Sequence, residues 1–297
     1  MRHGIVLLPE HEWKVAAERW RGVEQLGYDH AWTYDHLMWR WLADRRWYGA
    51  IPTLTAAATV TRSIGLGVLV ATPNFRHPVV LAKELVSVHD VGEGRLICGL
   101  GAGAPGYDAS ILGRAALRPQ ESADRFDAFI RMLDSLLVRG TAHEASAWYT
   151  ASGANFRPRA EDGRRLPFAV AATGPRGIAL AARFGQYWVT SGPPSDFSMR
   201  PLREVMPVLR EQMSGVDAAC EREGRDPATL SRLFVADASV GGITGSVAAY
   251  EDAAGELEEA GFTDLVVHWP RPEPPYQGDE QVIVDFAAKQ SLGERCT

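Results

Sequence analysis

The sequence predicts an α/β protein whose eight β/α units close into a (β/α)8 barrel. Two observations carry that expectation. The first is the stretch GLGVLVATPNFRHPVVLAKELVSVHDVGEGRLICGLGAG, residues 65–103, which reads as strand, loop, helix, turn and strand. Two buried strands joined by a helical crossover make a parallel βαβ unit. The second is alternation: short apolar runs and helical patterns follow one another along the chain, with no tandem repeat of the solenoid kind. Eight such pairs fit a closed barrel better than an open doubly wound sheet, which is the competing architecture.

Taken in order, Ile5–Leu8 reads as the first strand. Glu12–Leu26 is the first helix, with Val15, Ala16, Trp20 and Val23 at helical spacing and Gly27 as its stop. His30–Tyr34 is the second strand, and a long loop, Asp35–Ala50, carries Trp39, Trp41, Trp47 and Tyr48. Pro52 opens a helix that runs to Thr61. Ile64–Val70 is apolar, too short for a helix and long enough for one buried strand. Two prolines within Thr72–Pro78 break it, and Val80, Leu81, Leu85 and Val88 then recur on one helical face. Gly92 and Gly94 end that helix before the strand Leu96–Leu100. Ala104–Gln120 reads as an insertion, Ser122–Val138 as an amphipathic helix and 140–165 as an irregular excursion. Phe168–Ala171, Gln186–Val189, Leu233–Ser239 and Asp264–His268 are the remaining strands. Arg176–Phe184, a stretch from Pro201 through Glu223, Ser246–Ala260 and Glu280–Leu292 are their helices. Proline-rich loops fall at 192–201 and 270–278, and the whole reads as one domain, 1–297.

Composition narrows the function. The chain has 297 residues, 46% hydrophobic and 23% charged, which is ordinary for a globular barrel. A net charge of −6 leaves no electrostatic footprint for nucleic acid. The arginine-rich patches 40–46 and 157–165 are short and broken by Trp, Asp or Pro, and read as solvated surface. Cys98, Cys220 and Cys296 form no CxxC spacing, as expected of a reduced compartment. The apolar run before Pro9 is too short for a signal-peptide core, and no window resembles a membrane span. The expectation is a cytoplasmic protein with neither a nucleic-acid nor a membrane partner.

In a parallel barrel the ligand site is assembled from loops at the carboxyl ends of the strands. Here those ends are polar or glycine-rich: Asp35-His36, Ala71 to Asn74, Gly101 to Gly103, Ala171 to Pro175, Thr190 to Gly192 and His268-Trp269. His36 has the strongest chemistry, because an imidazole can donate to a developing anion or shuttle a proton. A histidine satisfied by a backbone carbonyl is the plain alternative. Asp35 either assists His36 or anchors the loop, since neighbours in a strand point to opposite sides. Thr173 to Gly177 opens a helix directly after a strand, where free N–H groups and the helix dipole suit an anion. Arg176, Thr190 and Ser191 are candidates to add to it, against a reading in which Arg176 is merely solvated. Residues 101–106 have the letters of GxGxxG, yet no helix follows and no acidic residue ends the next strand. A tight turn or close approach to a flat ring explains them better. The Trp39, Trp41, Trp47 and Tyr48 cluster suits an apolar or aromatic substrate, or a loop that folds back as its own small core. There is no GxSxG elbow and no zinc-type spacing, so redox chemistry would need an organic cofactor and no metal.

Four segments carry a family resemblance: LGYDHAWTYDHLMW (26–39), TRSIGLGVLVATPNFRHPVVLAKE (61–84), GEGRLICGLGAG (92–103) and VAATGPRGIALAARFGQYWVTSG (170–192). On these the chain resembles the bacterial luciferase-like family of flavin- and deazaflavin-dependent oxidoreductases, over nearly its full length. The resemblance implies a (β/α)8 TIM barrel with loop insertions at its C-terminal face and a cofactor ring across the mouth. It implies a phosphate tail held at Ala171, Ala172, Thr173 and Gly174, and contacts to the ring from Leu69, Val70, Ala71, Thr72, Gly101 and Gly103. Leu69-Val70 is the position of a non-proline cis peptide. The Asp-His pair and the TPNFRHP loop look more like the coenzyme F420 branch than the FMN branch. That branch places His36 by the reactive carbon of the deazaflavin, with Trp39 or Trp41 framing the ring.

One departure stands out. Some deazaflavin dehydrogenases of the family carry a glutamate proton donor where this chain has Ala104, and Tyr107 and Asp108 are the nearest replacements. The departure argues against a sugar phosphate and for an apolar substrate. The implied activity is F420H2-dependent hydride transfer to a C=C, C=N or C=O bond of an apolar or aromatic small molecule. The alternatives are an FMNH2-dependent monooxygenase using O2 with a separate flavin reductase, and a non-catalytic flavin-binding barrel. The resemblance also implies a homodimer.

Overall fold

The computed structural model describes residues 1–105, 107–156, 165–193 and 199–294. Gly106, Cys296 and the arginine patch at 157–164 lie outside the described residues.

Eight strands form the barrel: Arg2–Val6 (β1), His30–Tyr34 (β2), Gly65–Ala71 (β3), Leu96–Gly101 (β4), Phe168–Ala171 (β5), Tyr187–Thr190 (β6), Ser231–Val235 (β7) and Asp264–His268 (β8). Every neighbouring pair is parallel, and β1 bonds to both β2 and β8, so the sheet closes in sequence order. The expected doubly wound alternative is thereby excluded. Helices Trp13–Gln25 (α1), Ala50–Val60 (α2), Pro78–Val91 (α3), Tyr107–Ile111 (α4), Pro119–Arg139 (α5), Pro175–Phe184 (α6), Leu202–Arg222 (α7), Val247–Glu259 (α8) and Glu280–Glu294 (α9) run between or after the strands.

The period-two alternation of the strands divides two apolar layers. Trp32, Tyr34, Leu69, Ile97, Val189, Leu233 and Val266 fill the barrel interior. Ile5, Leu66, Val68, Phe168, Trp188 and Phe234 face outward and pack against Trp20, Leu54, Leu81 and Phe129 of the helices. At the amino end of the barrel a polar network closes on Asp264. His30 Nε2 lies 2.9 Å from Asp264, Trp32 Nε1 donates to His30 Nδ1 at 2.7 Å and Arg2 pairs with Asp264 at 2.8 Å.

The glycines of β4 are explained by β3. The β3–β4 register shifts between Val68 and Ala71, and the Leu69–Val70 peptide is cis. A Cβ at Gly99 would lie 1.9 Å from the Val68 carbonyl oxygen, and one at Gly101 would lie 2.7 Å from Val70 Cγ2. Gly101 is therefore kept bare by a neighbouring strand and not by a tight turn.

Two loop expectations change. The stretch read as an irregular excursion starts with an antiparallel hairpin, Thr141–Ala145 with Thr150–Asn155. Its turn is closed by Ser146 Oγ, which accepts from the Trp148 and Tyr149 amides at 3.2 and 2.9 Å. The insertion after β4 contains the short helix α4.

The interlock makes a stability prediction. Gly99→Ala should cost more than about 3 kcal/mol or abolish folding, because the obstacle is backbone. Gly22→Ala, in the interior of α1 with open space at its Cβ position, should stabilise by about 1 kcal/mol. Urea melts of both variants decide.

Candidate active site

The carboxyl ends of β2, β3, β4 and β5 are neighbours, so their loops share one side of the barrel mouth. His36 follows directly on β2. Its Nδ1 lies 2.7 Å from Asp108 Oδ2, while Asp108 Oδ1 accepts the Leu37 amide at 2.8 Å. Asp108 is buried and sits on α4. An ionised carboxylate only accepts, so Nδ1 carries a hydrogen and the pair holds the ring in one orientation. Nε2 has no hydrogen-bond partner among the described residues.

Asp35 plays the other of its two expected parts. Both its oxygens accept from Arg76, at 2.7 and 2.9 Å, and Arg76 reaches on to Glu84 at 3.0 Å. The pair ties the end of β2 to the β3–α3 loop, and among the described residues no hydrogen bond joins the Asp35 and His36 side chains. Burial raises the Asp35 pKa against the pull of Arg76. Asp35 is thus corrected from a catalytic candidate to a loop anchor, and Asp108 takes the orienting position beside His36.

The aromatic residues separate. Trp39 lies 4.6 Å from the His36 ring, 5.2 Å from Tyr34 and 5.6 Å from Trp41, and stacks on Trp47 at 6.3 Å. Trp47 Nε1 donates to the His36 carbonyl at 2.9 Å. Trp39 Nε1 is buried without a partner. Trp41 is exposed at the edge of the group, and Arg40 covers the Tyr107 ring at 5.5 Å. Tyr48 is elsewhere, in a cleft of about 410 Å³ with Pro9, Trp13, Trp20 and Pro52 between α1 and α2. Within the loop Trp39, Trp41 and Trp47 pack together as a small core beside His36.

At the β3 and β4 ends, Asn74 is a buried hub. Its amide nitrogen donates to the Ala104 carbonyl at 2.9 Å, its side-chain oxygen accepts from Arg125 at 2.5 Å, and its own carbonyl accepts from Arg114 at 3.4 Å. Thr72 Oγ1 accepts the Asn74 amide at 3.3 Å. Gly103, at φ +82°, has Asn74 where a Cβ would go. Arg125 is 8% exposed and has no carboxylate partner, and its Nε is buried and unbonded. Burial holds its guanidinium below the usual value, with the like charge of Arg114 adding to the effect. The buried Tyr149 hydroxyl in the same group also lacks a partner, and burial pushes its pKa to about 12.

The α6 start has no side-chain cap, and residues 173–176 are exposed ahead of it. The expectations for its neighbours change. Arg176 is paired with Asp124 of α5, so the uncompensated cation here is Arg125, one residue on. Thr190 is buried, donating to Gln212 at 2.7 Å and accepting the Gly192 amide at 3.0 Å, which leaves Ser191 as the half-buried candidate.

Sequence reasoning missed a further group at the barrel floor. Tyr34 Oη lies 2.7 Å from His268 Nε2 and 3.2 Å from Tyr276 Oη, and Tyr276 donates to Asp237 at 2.8 Å. Tyr276 stacks on the His268 ring at 3.5 Å. Burial brings the His268 pKa down to about 4. The one available signal was His268 at a strand end.

The luciferase-like monooxygenase family profile matches residues 1–241. The chain belongs to the luciferase-like monooxygenase family. The F420-dependent glucose-6-phosphate dehydrogenase of Beutenbergia cavernae is 33% identical over 172 residues, covering 57% of this chain and 50% of that one. The 4-hydroxyprotoasukamycin monooxygenase of Streptomyces nodosus subsp. asukaensis is 29% identical over 216 residues, covering 68% of this chain and 54% of that one. The chain thus spans about half the length of these curated relatives. The coenzyme F420-dependent tetrahydromethanopterin reductase structure from Methanopyrus kandleri superposes with a TM-score of 0.74 over 99% of both chains at 16% identity, which shows a shared luciferase-like fold. Among the described residues no helix is long and apolar enough to cross a membrane, and no metal-binding cluster occurs.

The buried histidines set the acid limb of stability. His268 and His3 are both held down to about 4 by burial, from 6.5 in an unfolded chain. The unfolded state then binds more protons, so their contribution is full above 6.5 and is lost as pH falls toward 4. Each should cost about 2 kcal/mol between pH 7 and 5. Urea unfolding at the two pH values should show that loss, and His268→Asn should shrink it.

Proposed function

We propose that this luciferase-like protein is a coenzyme F420-dependent oxidoreductase that moves hydride to a C=C, C=N or C=O bond of an apolar or aromatic small molecule. The observation that carries the reading is His36, fixed through Nδ1 by buried Asp108, with Nε2 open at the mouth beside Trp39. The residues present fit a large, planar, phosphate-bearing cofactor. An indole N–H is orphaned beside His36, and an uncompensated arginine and a phenol are orphaned beyond it. From the β2 end to the β5 end is three strand spacings, about 14 Å along the sheet.

When bound, the deazaflavin supplies the hydride. The chain's own residues do the rest. Arg125, Arg114 and Tyr149, with the backbone of Ala172 to Gly174 at the α6 start, would bind the anionic tail. Leu69, Val70 and Gly101 would lie against one face of the ring. With both ring nitrogens protonated, His36 Nε2 would donate a hydrogen bond to charge on ring or substrate, and Trp39 and Trp47 would exclude water. Ser191 and Trp41 stand at the edges. Tyr107 remains a candidate beside Arg40, while Asp108 is committed to His36.

The monooxygenase relative favours a second reading, an FMN-dependent oxygenase fed by a separate reductase. Under either reading we take the chain to be a cytoplasmic homodimer, which rests on the family resemblance.

Fluorescence titration with F420 and with FMN separates the readings. F420 should bind more tightly. Tighter FMN binding with substrate-dependent O2 uptake would replace this reading by the oxygenase, and FMN binding without turnover would indicate a non-catalytic barrel. His36→Ala should leave F420 affinity within about twofold and lower kcat about 10²-fold, with Asp108→Asn moving kcat the same way. Arg125→Gln should instead weaken cofactor affinity by about 2 kcal/mol with kcat little changed.

A further inference from the structure

The second polar group at the barrel mouth has a proton count that does not close. His268 Nδ1 faces the Ala236 carbonyl oxygen at 3.0 Å. A carbonyl only accepts, so Nδ1 carries the hydrogen of this neutral, buried ring. Nε2 is then bare and must accept, and the hydroxyl in reach is Tyr34 at 2.7 Å. The Tyr34 proton is committed to it. Tyr276 has one proton and two claimants, Asp237 Oδ1 at 2.8 Å and Tyr34 Oη at 3.2 Å. An ionised carboxylate makes the stronger, shorter bond, so Tyr276 gives its proton to Asp237. The Tyr34–Tyr276 contact is left with no hydrogen in it.

One added proton resolves this. With Asp237 protonated, Tyr276 turns to donate to Tyr34, and all three contacts point the same way, from Asp237 through Tyr276 and Tyr34 to His268. Asp237 is half-exposed on the loop after β7, whereas Tyr34 and His268 are 8% and 4% exposed in the top layer of the barrel interior. The chain therefore joins solvent to the floor of the mouth. Tyr34 is also the ring against which Trp39 packs, with His36 beyond at 6.1 Å.

We propose that Asp237, Tyr276 and Tyr34, held by His268, form a proton path between solvent and the reaction site. This rests on the hydride-transfer reading above. The Tyr34 hydroxyl turns from His268 Nε2 toward the substrate, and the substrate atom next to the hydride-accepting carbon gains a bond to the hydrogen that Tyr34 gives up. Tyr34 is refilled from Tyr276, Tyr276 from Asp237, and Asp237 from water. Each step breaks one O–H bond and makes one X–H bond, and the net change is one proton from solvent to product. In the opposite reaction direction the same chain carries the proton out.

The charged and titratable groups facing this chain are few. From β2 and its loop come Tyr34 and His36 with Asp108, from the loop after β7 Asp237, and from the loop after β8 Tyr276. That last loop is clamped by Arg271, which donates to the carbonyls of Glu273, Pro274 and Pro275 and is neutralised by Glu10. Tyr276→Phe keeps the ring stacked on His268 and removes only the relay hydroxyl.

Two measurements test the path, one of them without cofactor. In ¹⁵N-labelled protein, His268 should show the Nδ1–H tautomer throughout the range where a free imidazole titrates, about pH 5 to 8. In Tyr34→Phe its Nε2 resonance should move to that of an unbonded imine. An Nε2–H tautomer would overturn the path whatever the protein binds. In the F420-loaded enzyme, Tyr276→Phe and Asp237→Asn should each leave cofactor affinity unchanged. Each should lower kcat at least about tenfold with a larger solvent deuterium isotope effect. Turnover and isotope effect equal to wild type in both variants would also overturn it. A wild-type protein that binds no F420 would overturn the hydride-transfer reading instead, and the tautomer measurement would still decide whether the chain of hydrogen bonds exists.

Discussion

A carboxylate from the loop after β4 reaches across the barrel mouth to a histidine from the loop after β2, 72 residues earlier. That one contact organises the site. A buried carboxylate is costly unless its oxygens are bonded, and Asp108 meets the requirement with the Leu37 amide and His36 Nδ1. Satisfying Asp108 therefore pins both loops. The His36 carbonyl in turn receives the Trp47 indole, and Trp39 fills the space between the two rings. The tryptophan loop is rigid where it meets the histidine because the acid behind the histidine is rigid.

The two ends of the barrel carry different polar groups. At the amino end His30, Trp32, Arg2 and Asp264 bond one another. At the carboxyl end Trp39 Nε1, Arg125 Nε and the Tyr149 hydroxyl are buried and unbonded. Thr33 Oγ1, His89 Nδ1, Arg95 Nε and Arg232 Nε are buried and unbonded as well, but Arg95 makes four other bonds and Arg232 faces Asp217. Arg125 differs in having no carboxylate partner among the described residues. Each buried unpaired group costs about 1 to 3 kcal/mol, and a fold keeps several together only where something else pairs with them. Arg125, held only by the neutral Asn74 side chain, sets the carboxyl end apart.

The fold was legible wherever a strand was a compact apolar run between breakers. β2, β5 and β8 have the boundaries read from the sequence, since Asp, Pro and Gly flank them closely. The hairpin within 140–165 was not legible, because Thr141–Ala145 and Thr150–Asn155 carry no alternating apolar face for a period-two reading to find. In the site, His36 and the α6 start were legible as polar strand ends. Their partners were not. Asp108 had been weighed as an acid in its own right, and nothing in a separation of 72 residues shows that it faces a histidine. Thr190 and Arg176 stood in the right places on the chain, yet their partners Gln212 and Asp124 come from neighbouring helices that no local pattern points to.

The same accounting narrows where a proton can come from. At the end of β4, where some relatives by resemblance carry an acid, this chain has Ala104, and its carbonyl is used to hold Asn74. Asp108 is spent on His36, and Asp35 is spent on Arg76. The rim beside His36 thus has carboxylates, but each is tied to a partner, Arg76 or His36, by bonds that it would lose on taking a proton. Across the mouth the position is different. Asp237 is half-exposed, and moving a proton through Tyr276 and Tyr34 only rotates hydroxyls while every heavy atom stays in place. A chain of hydroxyls costs least to switch, so the absence of an acid at Ala104 and the two tyrosines set against His268, Tyr34 edge-on and Tyr276 stacked, belong to one arrangement.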